Sequence, residues 1–134
     1  MNLIVFDTSV LVNDLRSGRF QEKIQEIPGL VRLSSVVLAE LWRGATTSGE
    51  RHLLMRMARN QTILTPTEKN WLESGEILNK MRVDLGFAPE KLRDLHFDVL
   101  IALTARSHRA CLITSNRADF EAIQKYRKFA LEVW

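Results

Sequence analysis

A chain of 134 residues, 46% hydrophobic and 26% charged, is long enough to bury a core without disulfides or a structural metal and too apolar to stay disordered. Its 19 basic and 16 acidic residues leave a net charge of +3, a mild excess that is compatible with nucleic acid but names no partner. The single cysteine, Cys111, lies in the apolar run 110–113 with no second cysteine to pair with, and the segment before Asp7 has neither a basic leader nor a long apolar span. One domain over residues 1–134, in a reducing cytoplasm and away from membranes, is therefore expected.

Residues 3–6 form a continuous apolar run and predict a buried strand, after which Thr8 or Ser9 is placed to cap a helix running to Leu15. A second short strand is expected at 31–33, and Ser34 or Ser35 is a good cap for a helix over 36–45, which Gly44 would help to end. Leu53, Leu54 and Met57 have helical spacing within 50–59, and Ile63 and Leu64 read as a strand. Pro66 suits the first turn of a helix continuing to Leu85, and the interruption at 86–89 puts the next helix at about 95–108. A strand at 111–113, a short helix at 117–123 and a terminal strand at 129–133 complete the chain. Strands this apolar, alternating with helices, predict an α/β fold: a three-layer α/β/α sandwich on a mainly parallel central sheet. Reactive groups in such a fold gather at the C-terminal ends of the strands.

Asp7 directly follows the first strand, where an open parallel sheet presents ligand-binding groups. Its plainer reading is a helix cap. Asp98 is more informative, because Leu95, Ile101, Ala102 and Ala105 all lie within roughly 60° of it around a helix of about 100° per residue. A carboxylate on an apolar face needs a cation, hydrogen-bond donors or a metal; Arg93 and Arg106 are the sequence neighbours that would satisfy it structurally. Glu40 borders the stripe of Val37, Leu38, Leu41, Trp42 and Ala45, with Gly44 leaving space above its carboxylate, and its plainer reading is a solvated helix-edge acid. Finally, a strand empties into Thr114-Ser115-Asn116-Arg117-Ala118-Asp119, a turn carrying hydroxyls, an amide and an acid, which would otherwise serve only as caps for the next helix. Acids gathered at one end of a sheet repel one another unless a divalent cation neutralises them, and Mg²⁺, with Mn²⁺ as the alternative, suits an all-oxygen site. The three histidines show no zinc spacing with Cys111. Relief of that repulsion predicts that Asp7→Asn or Asp98→Asn stabilises the metal-free protein.

Taken together, Val5-Phe6-Asp7-Thr8-Ser9-Val10, residues 34–45 with Glu40, Asp98-Val99-Leu100-Ile101-Ala102 with Thr104-Ala105, and Thr114-Ser115-Asn116 through Asp119-Phe120 resemble the PIN domain (PilT N-terminus) over nearly the whole chain. The nearest likeness is to the VapC-like toxin nucleases of type II toxin–antitoxin systems. The resemblance implies a Mg²⁺- or Mn²⁺-dependent endoribonuclease, inhibited by a cognate antitoxin and dimeric. It assigns Asp7, Glu40 and Asp98 to the three core acids and Asp119 to the variable fourth, all as catalytic metal ligands, with Thr8, Thr114, Ser115 and Asn116 as supporting polar groups. Metal-activated water would hydrolyse the RNA phosphodiester without a covalent nucleophile. Two departures from the family pattern stand out, Ala110-Cys111 in place of aliphatic residues and Leu103 in place of a small one. Arg43, Arg93 and Arg117 are the candidate RNA-phosphate contacts. Trp42 and Trp71 are expected in the core; were either exposed together with Leu11, Leu15 or Phe20, an apolar antitoxin segment would be its cover.

Other α/β readings fit less well. The first strand–helix turn has no glycines to admit a dinucleotide pyrophosphate, Ser9 stands where a haloacid-dehalogenase-type phosphatase needs its second aspartate, and Asp98 within a helix is unlike a phospho-receiver's acceptor. Two alternatives stay open: a non-enzymatic PIN-like RNA- or protein-binding module, and a housekeeping RNA-processing nuclease.

Overall fold

The computed structural model describes residues 2–134. Its elements run β1 (Leu3–Phe6), α1 (Thr8–Ser17), α2 (Gln21–Gln25), β2 (Leu30–Ser34), α3 (Ser35–Gly44), α4 (Ser48–Asn60), β3 (Ile63–Leu64), α5 (Glu68–Leu85), α6 (Pro89–Ser107), β4 (Ala110–Thr114), α7 (Arg117–Gln124) and β5 (Leu131–Val133). The strands form one sheet in the order β3-β2-β1-β4-β5, with every neighbouring pair parallel. The chain therefore builds outward from β1 to one edge, then returns to β1's other side and builds to the second edge. That reversal, between β1 and β4, is the topological switch point at which an open parallel sheet offers a crevice.

Alternation along β1 divides the core. Ile4 and Phe6 pack with Val10, Phe20 and Ile113 beneath α1 and α2, whereas Val5 faces the larger cluster built by α3, α5, α6 and α7, with Leu33, Val37, Met81, Leu100 and Phe120 among its members. Helices thus cover both faces of the sheet, as strands apolar on both sides require. The centre of the larger cluster is α6, buried continuously from Val99 to Ala105. Leu103 and Ala110 are both interior, so the two departures noted in the sequence are absorbed by packing. Among the described residues no helix is long and apolar enough to cross a membrane.

Four details differ from the sequence reading. Helix α6 begins at Pro89, six residues before the expected Leu95, because Pro89 occupies the first turn, where its missing N–H costs nothing. Pro66 stays outside α5, whose N-terminus is closed at Thr67 by a reciprocal capping box with Asn70, at 3.0 and 3.1 Å. The short α2, with a single apolar residue, Ile24, was too brief for periodicity to reveal. Trp42 and Trp71 are not core residues; they are 40% and 50% exposed. On α3, Leu38 and Leu41 take the inward positions instead.

Candidate active site

The switch point holds Asp7, which is 4% exposed at the end of β1. Its backbone N–H extends the ladder to Ile113 O at 2.8 Å, and its side chain caps α1. Every hydrogen bond to that carboxylate goes to Oδ2: from Ser9 Oγ at 2.7 Å, from Thr114 Oγ1 at 2.9 Å and from Ser9 N at 3.4 Å. Oδ1 accepts none among the described residues. The plain capping role is therefore real, but it uses one oxygen only.

Two neighbours make this arrangement rigid. Thr114 Oγ1 also accepts from Asn116 N at 2.9 Å, and Ser9 Oγ accepts from Ser115 N at 3.0 Å, so the turn after β4 is sewn to the turn after β1. Ser9, which the sequence offered as a cap and not among the supporting polar groups, belongs to this hydrogen-bond network. Its signal was the hydroxyl pair directly behind Asp7. Ser115, expected as a supporting group, contributes its backbone N–H, while its buried Oγ has no hydrogen-bond partner among the described residues.

Glu40 comes from the second turn of α3 and is held by Thr8, whose hydroxyl donates to Oε1 at 2.7 Å. Arg43 approaches Oε2 at 3.7 Å while its guanidinium lies over Phe97. Burial and then the charge of Asp7 raise the Glu40 carboxyl above its ordinary range, against the opposing effects of Thr8 and Arg43.

Asp98 projects from the buried stretch of α6, with Leu95, Ile101, Ala102 and Ala105 all interior. Neither candidate arginine satisfies it. Arg93 is engaged with Glu90 at 3.7 Å, and Arg106 donates through Nε to Lys128 O at 3.1 Å. Among the described residues Asp98 receives neither a hydrogen bond nor an ion pair. Burial, followed by the charges of Asp7, Glu40 and Asp119, pushes its carboxyl up to about 8, and Lys91 only partly offsets this. The charges of the other three expected acids thus all act on Asp98.

Asp119 stands apart from the other three in having both oxygens occupied. Lys91 Nζ donates to Oδ1 and Asn116 Nδ2 to Oδ2, each at 3.0 Å. Burial raises this carboxyl, but the two hydrogen bonds and the ammonium charge outweigh it and hold Asp119 below the usual carboxylate value. Lys91 was missed in the sequence because it lies between the interruption at 86–89 and the expected helix start at Leu95, in a stretch that was given no element. Of the three arginines proposed for RNA, Arg43 reaches the acids, whereas Arg93 and Arg117 pair within their own helices, Arg117 with Glu121 at 3.0 Å.

No group of three acidic, histidine or cysteine side chains among the described residues is drawn close enough to grip a metal as it stands. The donor set nevertheless fits a hard divalent cation. It offers carboxylate oxygens only, one free oxygen on Asp7 and two on Asp98, at a place where negative charge is concentrated without an equal positive one. Beside Glu40 opens a groove of about 300 Å³ between α1, α3 and α4, lined largely by apolar residues including Val12, Leu15, Leu41, Leu53 and Leu54.

The sequence profile of the PIN domain matches residues 4–126. Among solved structures, VapBC2 from Rickettsia felis, bound to a DNA fragment from the promoter, is similar at a TM-score of 0.75 and 20% identity over 98% of each chain. VapBC-1 from nontypeable Haemophilus influenzae follows at 0.72 and 20%, again over 98% of each chain. A toxin–antitoxin complex from Klebsiella pneumoniae matches at 0.60 and 25% identity, over 87% of this chain and 89% of that one. No curated protein sequence gives a significant match.

Proposed function

Because the chain belongs to the PIN domain family, we propose that it is a divalent-metal-dependent endoribonuclease and the toxin of a toxin–antitoxin pair. Asp98 carries this reading: it is a half-buried acid with no hydrogen-bond donor among the described residues, its charge is disfavoured by burial and by three neighbouring acids and only partly offset by Lys91, and a bound cation would stabilise its ionised form. Asp7, Glu40 and Asp98 are the proposed metal ligands, with Asp119 at the border of the set. Mg²⁺ is the proposed ion and Mn²⁺ its substitute.

A cation bound there would supply Lewis-acid charge for water activation and for the phosphoryl oxygens during phosphodiester hydrolysis. The chain's own residues prepare the site. Ser9 and Thr114 fix Asp7 through Oδ2 and leave Oδ1 without a hydrogen-bond partner among the described residues. Thr8 orients Glu40. Arg43, largely exposed beside Glu40, is placed to attract an RNA phosphate, with Arg93 and Arg117 contributing longer-range attraction.

The partners that accompany this reading are RNA, an antitoxin and a second copy of the chain, in the cytoplasm. Support for a protein partner comes from the solved toxin–antitoxin complexes of the same fold and from exposed apolar surface at Leu15, Trp42, Trp71 and Leu72. Phe20 and Leu11 are buried or partly buried, so only Leu15 of the originally grouped residues is available as cover for an antitoxin segment. A non-enzymatic module has no use for an uncompensated Asp98.

Incubation of purified protein with RNA tests the reading. Cleavage should appear with Mg²⁺ or Mn²⁺, vanish in chelator, and be absent from Asp98→Asn that keeps its native circular dichroism. Activity in chelator, or in that variant at saturating metal, would refute it.

A further inference from the structure

Lys91 and Asp98 lie seven positions apart on α6, two turns along the same face and about 10 Å along the axis. The lysine stem passes Phe87, its Nζ 5.9 Å from the ring centroid, and the ammonium ends on Asp119 at 3.0 Å. Asn116, the cap of α7, holds the other carboxylate oxygen and accepts from Asp119 N at 3.4 Å. Asp119 is thus fixed from both sides by groups of this chain. Asp7 and Asp98, by contrast, keep oxygens that no other group among the described residues uses.

We propose that Lys91 is a resident counter-ion of the acidic site, which withdraws Asp119 from the metal's ligand set and sets how tightly the remaining acids hold a divalent cation. This rests on the metal-dependent nuclease reading given above and refines it. For a metal to take Asp119 it must break a charge-assisted hydrogen bond and leave a lysine facing a dication. With the pair intact the two charges nearly cancel at the site, and three acids remain for the metal. Lys91 is 42% exposed along its side chain, so its charge acts through partly screened surroundings and its replacement leaves the core untouched.

The test is Mn²⁺ binding to the full chain, followed by calorimetry and by the paramagnetic resonance of the free ion, without RNA. Lys91→Gln should bind Mn²⁺ roughly three- to tenfold more tightly, as expected for removing one partly screened positive charge near a dication. Lys91→Arg should resemble the parent. Asp119→Asn, which frees the lysine, should bind more weakly by a similar factor. The double variant Lys91→Gln/Asp119→Asn should return to within about threefold of the parent, because it deletes a neutral pair rather than a ligand. Circular dichroism confirms that each is folded. A double variant weakened more than about threefold overturns the proposal and makes Asp119 a ligand, and a Lys91→Gln affinity equal to the parent's overturns it by showing that the lysine does not tune the site. Asp98→Asn separates the two levels: if the parent binds Mn²⁺ and Asp98→Asn does not, the metal reading stands whatever the lysine does. If the parent binds no Mn²⁺, the metal reading fails and the proposal with it.

Discussion

Thr8 and Glu40, 32 positions apart, meet in a 2.7 Å hydrogen bond in which the first side chain of α1 fixes a carboxylate of α3. The contact ties the position of Glu40 to the turn that carries Asp7, one residue away. Thr8→Val keeps the shape of the side chain and removes the donor. Glu40 Oε1 then loses its one hydroxyl partner, and the carboxyl, already raised by burial, rises further. RNA cleavage at fixed Mg²⁺ should fall about tenfold, a cost of about 1.4 kcal/mol in the transition state, while Thr8→Ser retains most of the rate. A Thr8→Val enzyme as fast as the parent would mean that Glu40 needs no such support.

Asp98 sets a stability that depends on pH. Its folded carboxyl is raised to about 8, while the unfolded chain loses that proton near 3.9. Between those values the unfolded state binds fewer protons, so rising pH destabilises the metal-free fold, and above about 8 the penalty is constant. Asp98→Asn lacks the titrating group. In chelator its advantage over the parent should be absent near pH 4 and grow to several kcal/mol by pH 8, at up to about 1.4 kcal/mol per pH unit. Saturating Mg²⁺ should shrink or reverse it. Glu22→Gln, on the exposed face of α2, serves as control and should change little. Melting curves across this range check the sign. Asp7→Asn should not share the gain, since Asp7 caps α1 and takes its hydrogen bonds from Ser9 and Thr114.

That difference between two acids marks what could be read in the sequence. Asp7 and Asp98 were legible as candidates for one site because one follows an apolar strand and the other interrupts an apolar helix face, and both signals survive without coordinates. The sheet and its two helical layers followed from uninterrupted apolar strands. What stayed hidden depends on distance between remote segments. No spacing rule links Ser9 to Ser115 or Lys91 to Asp119, and the latter pair was further obscured when Pro89 was taken to interrupt a helix that it begins. Trp42 was misplaced for a related reason: size suggests burial, but the rotation of α3 gave the inward positions to Leu38 and Leu41.

Cation entry should be coupled to proton release. At neutral pH the Asp98 carboxyl of the metal-free protein holds its proton, because burial and then three neighbouring acids disfavour the charge. Binding a divalent ion at that oxygen expels it. Mn²⁺ affinity should therefore increase with pH up to about 8 and level off above it. Calorimetry at pH 7 in buffers of different ionisation enthalpy should register close to one proton released per metal. A heat independent of buffer would show that Asp98 is already ionised, and that the acids are less coupled than their placement indicates.

The groove between α1, α3 and α4 makes a prediction about the antitoxin. Leu15 lies on its rim at 45% exposure, and the walls beyond it are chiefly apolar. Glu40 also borders the groove, so a segment seated there would end beside the acids, where a cationic side chain, most naturally arginine, would be drawn in. Leu15→Glu places a carboxylate on the apolar path and costs the fold little, because the side chain is already half in solvent. Binding of the cognate antitoxin, measured between the two purified proteins, should weaken by about tenfold or more, with the melting temperature of the free chain nearly unchanged. Asp14→Asn, one position earlier on α1, removes a negative charge without touching the apolar lining and should leave that affinity within about threefold of the parent. If Leu15→Glu binds the antitoxin as tightly as the parent does, the partner covers the acids from another direction, and the groove is not its seat.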